Sequence, residues 1–152
     1  MRMQALKGLA VAAFIVMLGA SSAKASTPLL RADIPFDFMA GNTMLPAGTY
    51  TITEATPGVL QIRNEKLGSD AAFVLANSLE TPKPQDSGKL IFNRYGDTYF
   101  LNQVWSDISS YSVPKSQSEI SLSNELAAEN PPDVIPVIVV VSLQQRSESA
   151  LT

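Results

Sequence analysis

A short aromatic segment in the second half of the chain carries side chains that could bind a ligand. Aromatic rings offer flat faces on which a sugar or peptide can stack, and adjacent amides and a guanidinium supply hydrogen bonds. The other interpretation is structural, with the aromatic rings in the core and their polar tips at its rim. The candidate ligand-binding residues are Arg94, Tyr95, Tyr99, Asn102, Gln103 and Trp105.

The 152 residues include no cysteine and no histidine, which excludes most common catalytic designs. Ser-His-Asp and Cys-His nucleophile systems, thiolate or imidazole metal sites and the usual near-neutral proton shuttle are all removed. Ser112 and Lys115 fit a Ser-x-x-Lys pattern, but the chain has neither partner motif of that enzyme class. Phosphate-binding and calcium-binding loop motifs are also missing. We therefore assign no catalytic residue, no metal ligand and no cofactor.

Carboxylates are the remaining groups for acid-base chemistry, and the chain has 14 of them. Two carboxylates in one cleft, about 5 to 9 Å apart, would suit a glycosidase. Surface roles explain most of them, since Asp33 and Asp37 alternate outward on a predicted strand and Asp97 lies in a predicted turn. A carboxylate-based hydrolase acting on envelope or environmental glycans is therefore the alternative to a binding protein.

The first 25 residues have the layout of a secretory signal peptide. Basic Arg2 and Lys7 precede an apolar run over residues 8–20, and Ala23 and Ala25 form a small-x-small cleavage site. Cleavage after Ala25 leaves 127 residues, without a membrane span, that we expect in the periplasm or outside the cell. It also removes three of the 11 lysines and arginines and no acid, so the formal net charge changes from −3 to −6. This acidic chain lacks the basic stripe that nucleic-acid binding needs.

The mature chain shows mainly strand-like alternation. Leu30 to Phe38 alternates apolar with polar residues, and Pro35 predicts an edge strand there. Gly- and Pro-containing turns then separate strands that begin near Thr49, Val59 and Ala71, which favours an antiparallel meander. Residues 79–88 and 106–114 have no periodicity and predict loops.

Gly96 and Asp97 separate two strand-like runs and predict a hairpin with a type II′ turn. This turn pairs Tyr95 with Thr98, Arg94 with Tyr99, Phe92 with Leu101 and Leu90 with Gln103. Trp105 then shares a face with Leu90, and Val104 lies on the opposite face with Tyr95. Because large apolar groups occur on both faces, we expect the hairpin to lie inside the fold.

Ser116 and Glu119 match a capping box, in which both side chains satisfy free amides at a helix start. Ile120, Leu126 and Ala127 indicate an amphipathic helix that ends before Pro131. The β-branched run Val137 to Val141 predicts a strand buried on both faces, or a strand for self-assembly. We therefore predict a mainly β protein, an antiparallel β-sandwich or flattened barrel of about seven or eight strands with one short helix near the C-terminal side. Its single β-rich domain covers residues 26–145, followed by a polar tail, 146–152.

Several segments, in order, resemble a family of small exported bacterial β-domain proteins of unassigned function. The resemblance covers about residues 34–128 and implies an extracytoplasmic β-domain with a helix near its end. It implies no activity. The matching segments are Ile34-Pro-Phe-Asp-Phe38, Leu45-Pro-Ala-Gly-Thr-Tyr50, Leu60-Gln-Ile62, Arg94-Tyr-Gly-Asp-Thr-Tyr-Phe-Leu101, Val104-Trp105 and Val113-Pro-Lys-Ser116 through Glu119.

A narrower segment, Leu45 to Gly58, is similar to a strand of prealbumin-like surface modules, in which a glutamate promotes a lysine–asparagine isopeptide bond. The resemblance gives Glu54 that role. Those modules place their lysine upstream, however, and the mature chain has no lysine before Lys66. The match therefore supports a β-sandwich strand and turn.

Together these features predict an exported, non-catalytic envelope or extracellular module that binds a partner or a small ligand. The expected partners are an envelope or extracellular protein or a glycan, bound through loops at one end of the sheet.

Overall fold

A computed structural model describes residues 28–68, 71–80, 87–129 and 134–141. The proposed signal peptide, the 146–152 tail and residues 81–86 of the predicted loop lie outside these residues. The described chain is mainly β, with two facing sheets and one helix near the C-terminal side, and this confirms the predicted fold class. The elements are β1 (Pro28–Ile34), β2 (Phe38–Ala40), β3 (Thr43–Leu45), β4 (Gly48–Thr56), β5 (Val59–Asn64), β6 (Ala71–Leu75), β7 (Asn77–Leu79), β8 (Gly88–Tyr95), β9 (Thr98–Trp105), β10 (Ser110–Ser112), α1 (Gln117–Glu129) and β11 (Ile135–Val141).

The first sheet has the strand order β1-β4-β5-β6, with every pair antiparallel. Its alternating sequence buries Tyr50 and Ile52 of β4 beside Leu60 and Ile62 of β5. β1 is an edge strand, as Pro35 predicts, but it ends at Ile34 instead of continuing to Phe38. The chain leaves the first sheet at Pro35, which has no N–H for a ladder, and β2 then joins the second sheet.

The second sheet is curled and has the order β11-β8-β9-β10-β7. β2 pairs in parallel with β9, and β3 extends from β2. β1 lies beside β11 and β2 lies beside β6, so the two sheets enclose one core. Three rings join the sheets, because Phe38 contacts both Tyr50 and Phe92 edge to face at centroid distances of 5.2 and 5.5 Å.

The β8–β9 hairpin has the predicted turn but a different register beyond its middle. Tyr95 faces Thr98 across the turn. Gly96 has a φ of 59°, and no described non-glycine residue, Asp97 included, has a positive φ. A type II′ turn requires a positive φ at its first central residue and not at its second. An irregularity between Ile91 and Phe92 then leaves Asn102 unpaired in β9 and places Leu90 opposite Val104.

The predicted pairing of Leu90 with Gln103 is therefore wrong. A one-residue bulge exchanges the two faces of the strand beyond it. Val104 consequently lies in the core, fully buried, and Trp105 lies on the opposite face from Leu90. The physical reason is that the bulge presents an apolar valine to the core where the regular register would present glutamine.

Two short strands, β7 and β10, lie next to or within predicted loops. β10 lies within residues 106–114 and pairs with both β9 and β7, and β7 ends at Leu79, the first residue of the predicted 79–88 loop. Each has only three residues, which is too short for a sequence period to be visible. These short strands form because segments distant in the chain pair with one another. Local strand propensity does not determine them.

The β-branched strand β11 is not buried on both faces as predicted. Among the described strands it pairs only with β8, so it is an edge strand. Val141 is buried, but Ile138 is 56% exposed and Val140 is 70% exposed, because no described element covers that side of β11.

α1 begins as predicted after Ser116, whose hydroxyl accepts a hydrogen bond from the Glu119 N–H at 3.2 Å. Its predicted apolar face is not buried, because Ile120 and Ala127 are exposed and Leu126 is only half-buried. The helix buries Glu119 instead. None of the described residues belongs to a helix with the length and apolar character needed to cross a bilayer.

The conformation of Gly96 predicts a specific cost for a side chain at this turn. Nothing lies within 4 Å of a Cβ built at Gly96, so the Gly96→Ala variant would suffer backbone strain and no collision. We expect it to lower the free energy of unfolding by about 1–2 kcal/mol, the cost of a left-handed conformation for an L-residue. Urea unfolding measures this loss. Asp97→Ala, at the next position of the same turn, is the control and should cost less than about 0.5 kcal/mol. Equal losses of unfolding free energy in both variants would contradict the positive φ assigned to Gly96.

Candidate functional site

The side of the second sheet that faces away from the core is the candidate functional surface, and we call it the outer face. Paired residues of an antiparallel ladder point to the same side, so the register defines its members. It divides into an open patch, formed by Lys89, Ile91, Gln103, Trp105, Ile138 and Val140, and a covered end, formed by Asn93, Tyr95 and Phe100 beside α1.

Two cross-strand rows form the open patch. One row aligns Ile138 of β11, Ile91 of β8 and Gln103 of β9. The next row aligns Val140, Lys89 and Trp105 of the same three strands. The patch therefore combines exposed aliphatic groups with one aromatic ring and one cation.

The indole of Trp105 is held in place by both of its neighbours on the outer face. Its Nε1 donates a hydrogen bond to Oε1 of Gln103 at 2.8 Å, and the Lys89 ammonium lies 4.6 Å from the ring centroid. This ammonium position is within the range of a cation–π contact. Trp105 is half-buried, so a partly accessible ring is already oriented before any ligand binds.

The covered end contains a buried carboxylate. Oε1 of Glu119 in α1 accepts hydrogen bonds from Asn93 Nδ2 and from the Tyr95 hydroxyl, each at 3.0 Å. Glu119 is only 3% exposed and Tyr95 only 2%. The Glu119 carboxylate therefore does not return to the helix start, as the capping box predicts, because the two donors on β8 bind it.

The Tyr95 phenol is strongly perturbed by this environment. Burial, the hydrogen bond to Glu119 and the negative charge of Glu119 together raise the pKa of Tyr95 to about 12. Each of these effects disfavours a phenolate, because the phenolate would be desolvated and close to a carboxylate. Tyr95 therefore acts as a hydrogen-bond donor throughout the ordinary pH range, and its ring packs edge to face on Phe100 at 5.7 Å.

Arg94 and Tyr99 lie on the opposite side of the hairpin, at the margin of the core. The Arg94 guanidinium is 5.5 Å from the Tyr99 ring centroid, and its Nε donates to the carbonyl of Gly96 at 2.7 Å. Phe36 stacks on Tyr99 at 3.9 Å with 14° between the ring planes. These contacts agree with the structural interpretation, in which Arg94 stacks on Tyr99 across the strand pair.

The six sequence-predicted residues thus do not form one platform. Tyr95, Gln103 and Trp105 belong to the outer face, whereas Arg94 and Tyr99 belong to the inner side. Asn102 lies at the bulge, where its carbonyl accepts a hydrogen bond from the Val113 N–H at 2.8 Å. Sequence reasoning missed the contributions to the outer face of Lys89, Ile91, Asn93, Glu119, Ile138 and Val140.

Glu54 connects the two sheets. Its Oε2 accepts a hydrogen bond from the Tyr111 hydroxyl at 2.8 Å, and its Oε1 accepts one from the Gly58 N–H at 3.2 Å. Burial, followed by the hydrogen bond to Glu54, raises the pKa of Tyr111. Both carboxylate oxygens of Glu54 therefore have structural partners, and neither partner is a lysine or an asparagine.

Potential chemistry at these positions is restricted by their surroundings. Ser112 lies in β10, so it is not one helical turn away from Lys115. No group of three or more aspartates and glutamates that could hold a metal ion occurs within the described parts of the chain. Comparison of the chain with models of known protein families, with curated proteins and with solved structures found no match.

The raised pKa of Tyr95 predicts a loss of stability at alkaline pH. The folded state retains the phenolic proton to a higher pH than the unfolded chain, so this contribution is complete below pH 10. It declines as the pH rises from 10 through 12. Between pH 9 and 12 we expect the wild type to lose about 2 kcal/mol more than Tyr95→Phe, which has no phenol to ionise.

Urea unfolding at each pH measures this difference. Tyr99→Phe is the matched control, since it removes a tyrosine from the same hairpin but leaves the Tyr95–Glu119 hydrogen bond. Between pH 9 and 12, the unfolding free energy of Tyr99→Phe should fall as much as that of the wild type. Identical pH profiles for the wild type and Tyr95→Phe would contradict the prediction.

Proposed function

We propose that this protein is an exported, non-catalytic module that binds an envelope or extracellular protein through the open patch. The observation that supports this proposal is the exposure of Ile138 and Val140 on the same sheet face as the oriented Trp105 ring. Contiguous apolar groups on the surface of a soluble domain commonly mark an interaction site. Tryptophan is also among the residues that contribute most to binding energy at interfaces.

The chemistry of the open patch favours a protein partner over a glycan. Ile91, Ile138 and Val140 provide aliphatic surface that would bury apolar side chains of a partner. The amide of Gln103 is already engaged with the Trp105 indole, which leaves fewer polar groups to bind sugar hydroxyls. Loss of apolar area from water would therefore provide most of the binding free energy.

The hydrolase alternative receives less support from the described carboxylates. Glu119 and Glu54 each accept a hydrogen bond from a tyrosine, and they belong to different elements, α1 and β4. A glycosidase needs two carboxylates facing one scissile bond, one as acid and one as base or nucleophile. The hydrogen bonds of Glu119 and Glu54 favour structural roles for both.

Export predicts a defined N-terminus. Expression of the full chain in a bacterial host, followed by N-terminal sequencing of the protein from the periplasm or medium, should give Ser26 as the first residue. Ala25→Phe should block cleavage, because signal peptidase requires a small residue there. Lys24→Gln, at the neighbouring position, should leave it unchanged. Recovery of uncleaved chain from the cytoplasm alone would contradict export.

Binding can be followed through Trp105, the only tryptophan in the chain. We expect its fluorescence emission to shift on titration with extended apolar peptides, because a bound peptide would exclude water from the indole. Ile138→Ser should weaken binding about tenfold or more by removing buried apolar area. Phe73→Ser changes a residue that is 62% exposed on the first sheet, and as the matched control it should bind like the wild type.

The same titration separates the competing hypotheses. Peptide affinities that are equal in Ile138→Ser, Phe73→Ser and the wild type would contradict binding at the open patch. A shift caused by oligosaccharides, together with their slow hydrolysis, would support the hydrolase.

A further inference from the structure

α1 is attached to the β domain in an unusual way for a surface helix. Most helices in proteins are stabilised by burying an apolar face. α1 has 13 residues, yet Glu119 is its buried residue and Ile120 is 38% exposed. The apolar side chains of α1 that face the sheet, Leu122 and Leu126, are only half-buried, so buried apolar area holds α1 less firmly than it holds a helix with a fully buried face.

Most polar contacts of α1 come from its first turn, and the Ser123 side chain also hydrogen-bonds Tyr95. Glu119 accepts the hydrogen bonds of Asn93 and Tyr95, and Ser118 donates to Asn42 at 3.1 Å on the exposed surface. Within the described chain no lysine or arginine forms an ion pair with the Glu119 carboxylate. Two hydrogen bonds to one oxygen of the Glu119 carboxylate, together with the Ser123–Tyr95 contact, thus form the polar attachment of α1 to the sheet.

The remainder of α1 has little stability of its own. Its last turn contains no basic residue, and it ends at Glu129, whose charge is unfavourable beside the negative end of the helix dipole. Serine and asparagine at positions 121, 123 and 124 are also weaker helix formers than alanine or leucine. Separation of α1 from the sheet would break few contacts and leave the pairing of β8 with β9 and β11 intact.

We propose that α1 is a cover that opens locally while both sheets remain folded, with Glu119 as the latch. Opening removes the carboxylate from Asn93 and Tyr95 and exposes Phe100. The covered end then becomes continuous with the open patch, since Asn93 lies two residues from Ile91 along β8. The opening is a property of the fold and does not depend on the proposed binding function.

Native-state hydrogen exchange tests whether α1 opens separately. In low concentrations of urea, the amides of residues 120–129 should exchange by a local opening with little dependence on denaturant, whereas those of β8 and β9 should exchange only by global unfolding. Glu119→Ala should speed exchange of the α1 amides about ten- to a hundredfold, the effect expected from losing hydrogen bonds to a charged group. Glu125→Ala removes an exposed acid of the same helix and should not speed exchange.

A second measurement detects exposure of the surface beneath the helix. In the wild type, nitration of Tyr95 by tetranitromethane, mapped by mass spectrometry, should be faster than nitration of Tyr50, which is fully buried in the core and is reached only by global unfolding. Exchange of α1 in the wild type with the same urea dependence as β8 would overturn the proposal. The wild-type measurement decides the question even if Glu119→Ala does not fold. Nitration of Tyr95 in the wild type that is no faster than nitration of Tyr50 would equally overturn α1 as a cover.

Discussion

The packing of the β8–β9 hairpin against the first sheet is the interaction on which the rest of the structure depends. Phe92 contacts Phe36 and Phe38, and Phe38 contacts Tyr50 of the first sheet. These rings bring one face of the hairpin into the core, and the bulge at Asn102 then turns Val104 inward as well. The packing of the hairpin places Tyr95 on the outer face beneath α1, and the shifted register places Trp105 there beside Lys89.

Two tyrosine–carboxylate hydrogen bonds secure contacts that the apolar core does not provide. Tyr111 donates to Glu54 between the two sheets, and Tyr95 donates to Glu119 between the hairpin and the helix. In both pairs the phenol pKa is raised, so the donor keeps its proton and the carboxylate has a stable partner without a cation. Such pairs specify position because an unpaired buried carboxylate would be costly.

Local sequence signals predicted the fold class well, and contacts between distant segments limited the prediction of the site. The turn at Gly96 and the helix start at Ser116 were predictable because a few neighbouring residues determine them. The register beyond Ile91 was not, since it depends on which side chain of β9 fits the core. Nothing in the helix sequence shows that Glu119 accepts a hydrogen bond from Tyr95. The β-branched run of β11 is equally compatible with an edge strand and with a central strand.

The chain order of the second sheet determines when it can be completed. β8 lies between β9, its immediate successor, and β11, which begins only at Ile135, 40 positions after β8 ends at Tyr95. If the chain crosses a membrane from its N-terminus, β8 keeps one unpaired side until β11 emerges. A partly folded chain with an open strand edge is prone to associate with other chains, and the valine-rich β11 is the segment best suited to such pairing. Rapid delivery of β11 to the edge of β8 would therefore protect the partly folded protein.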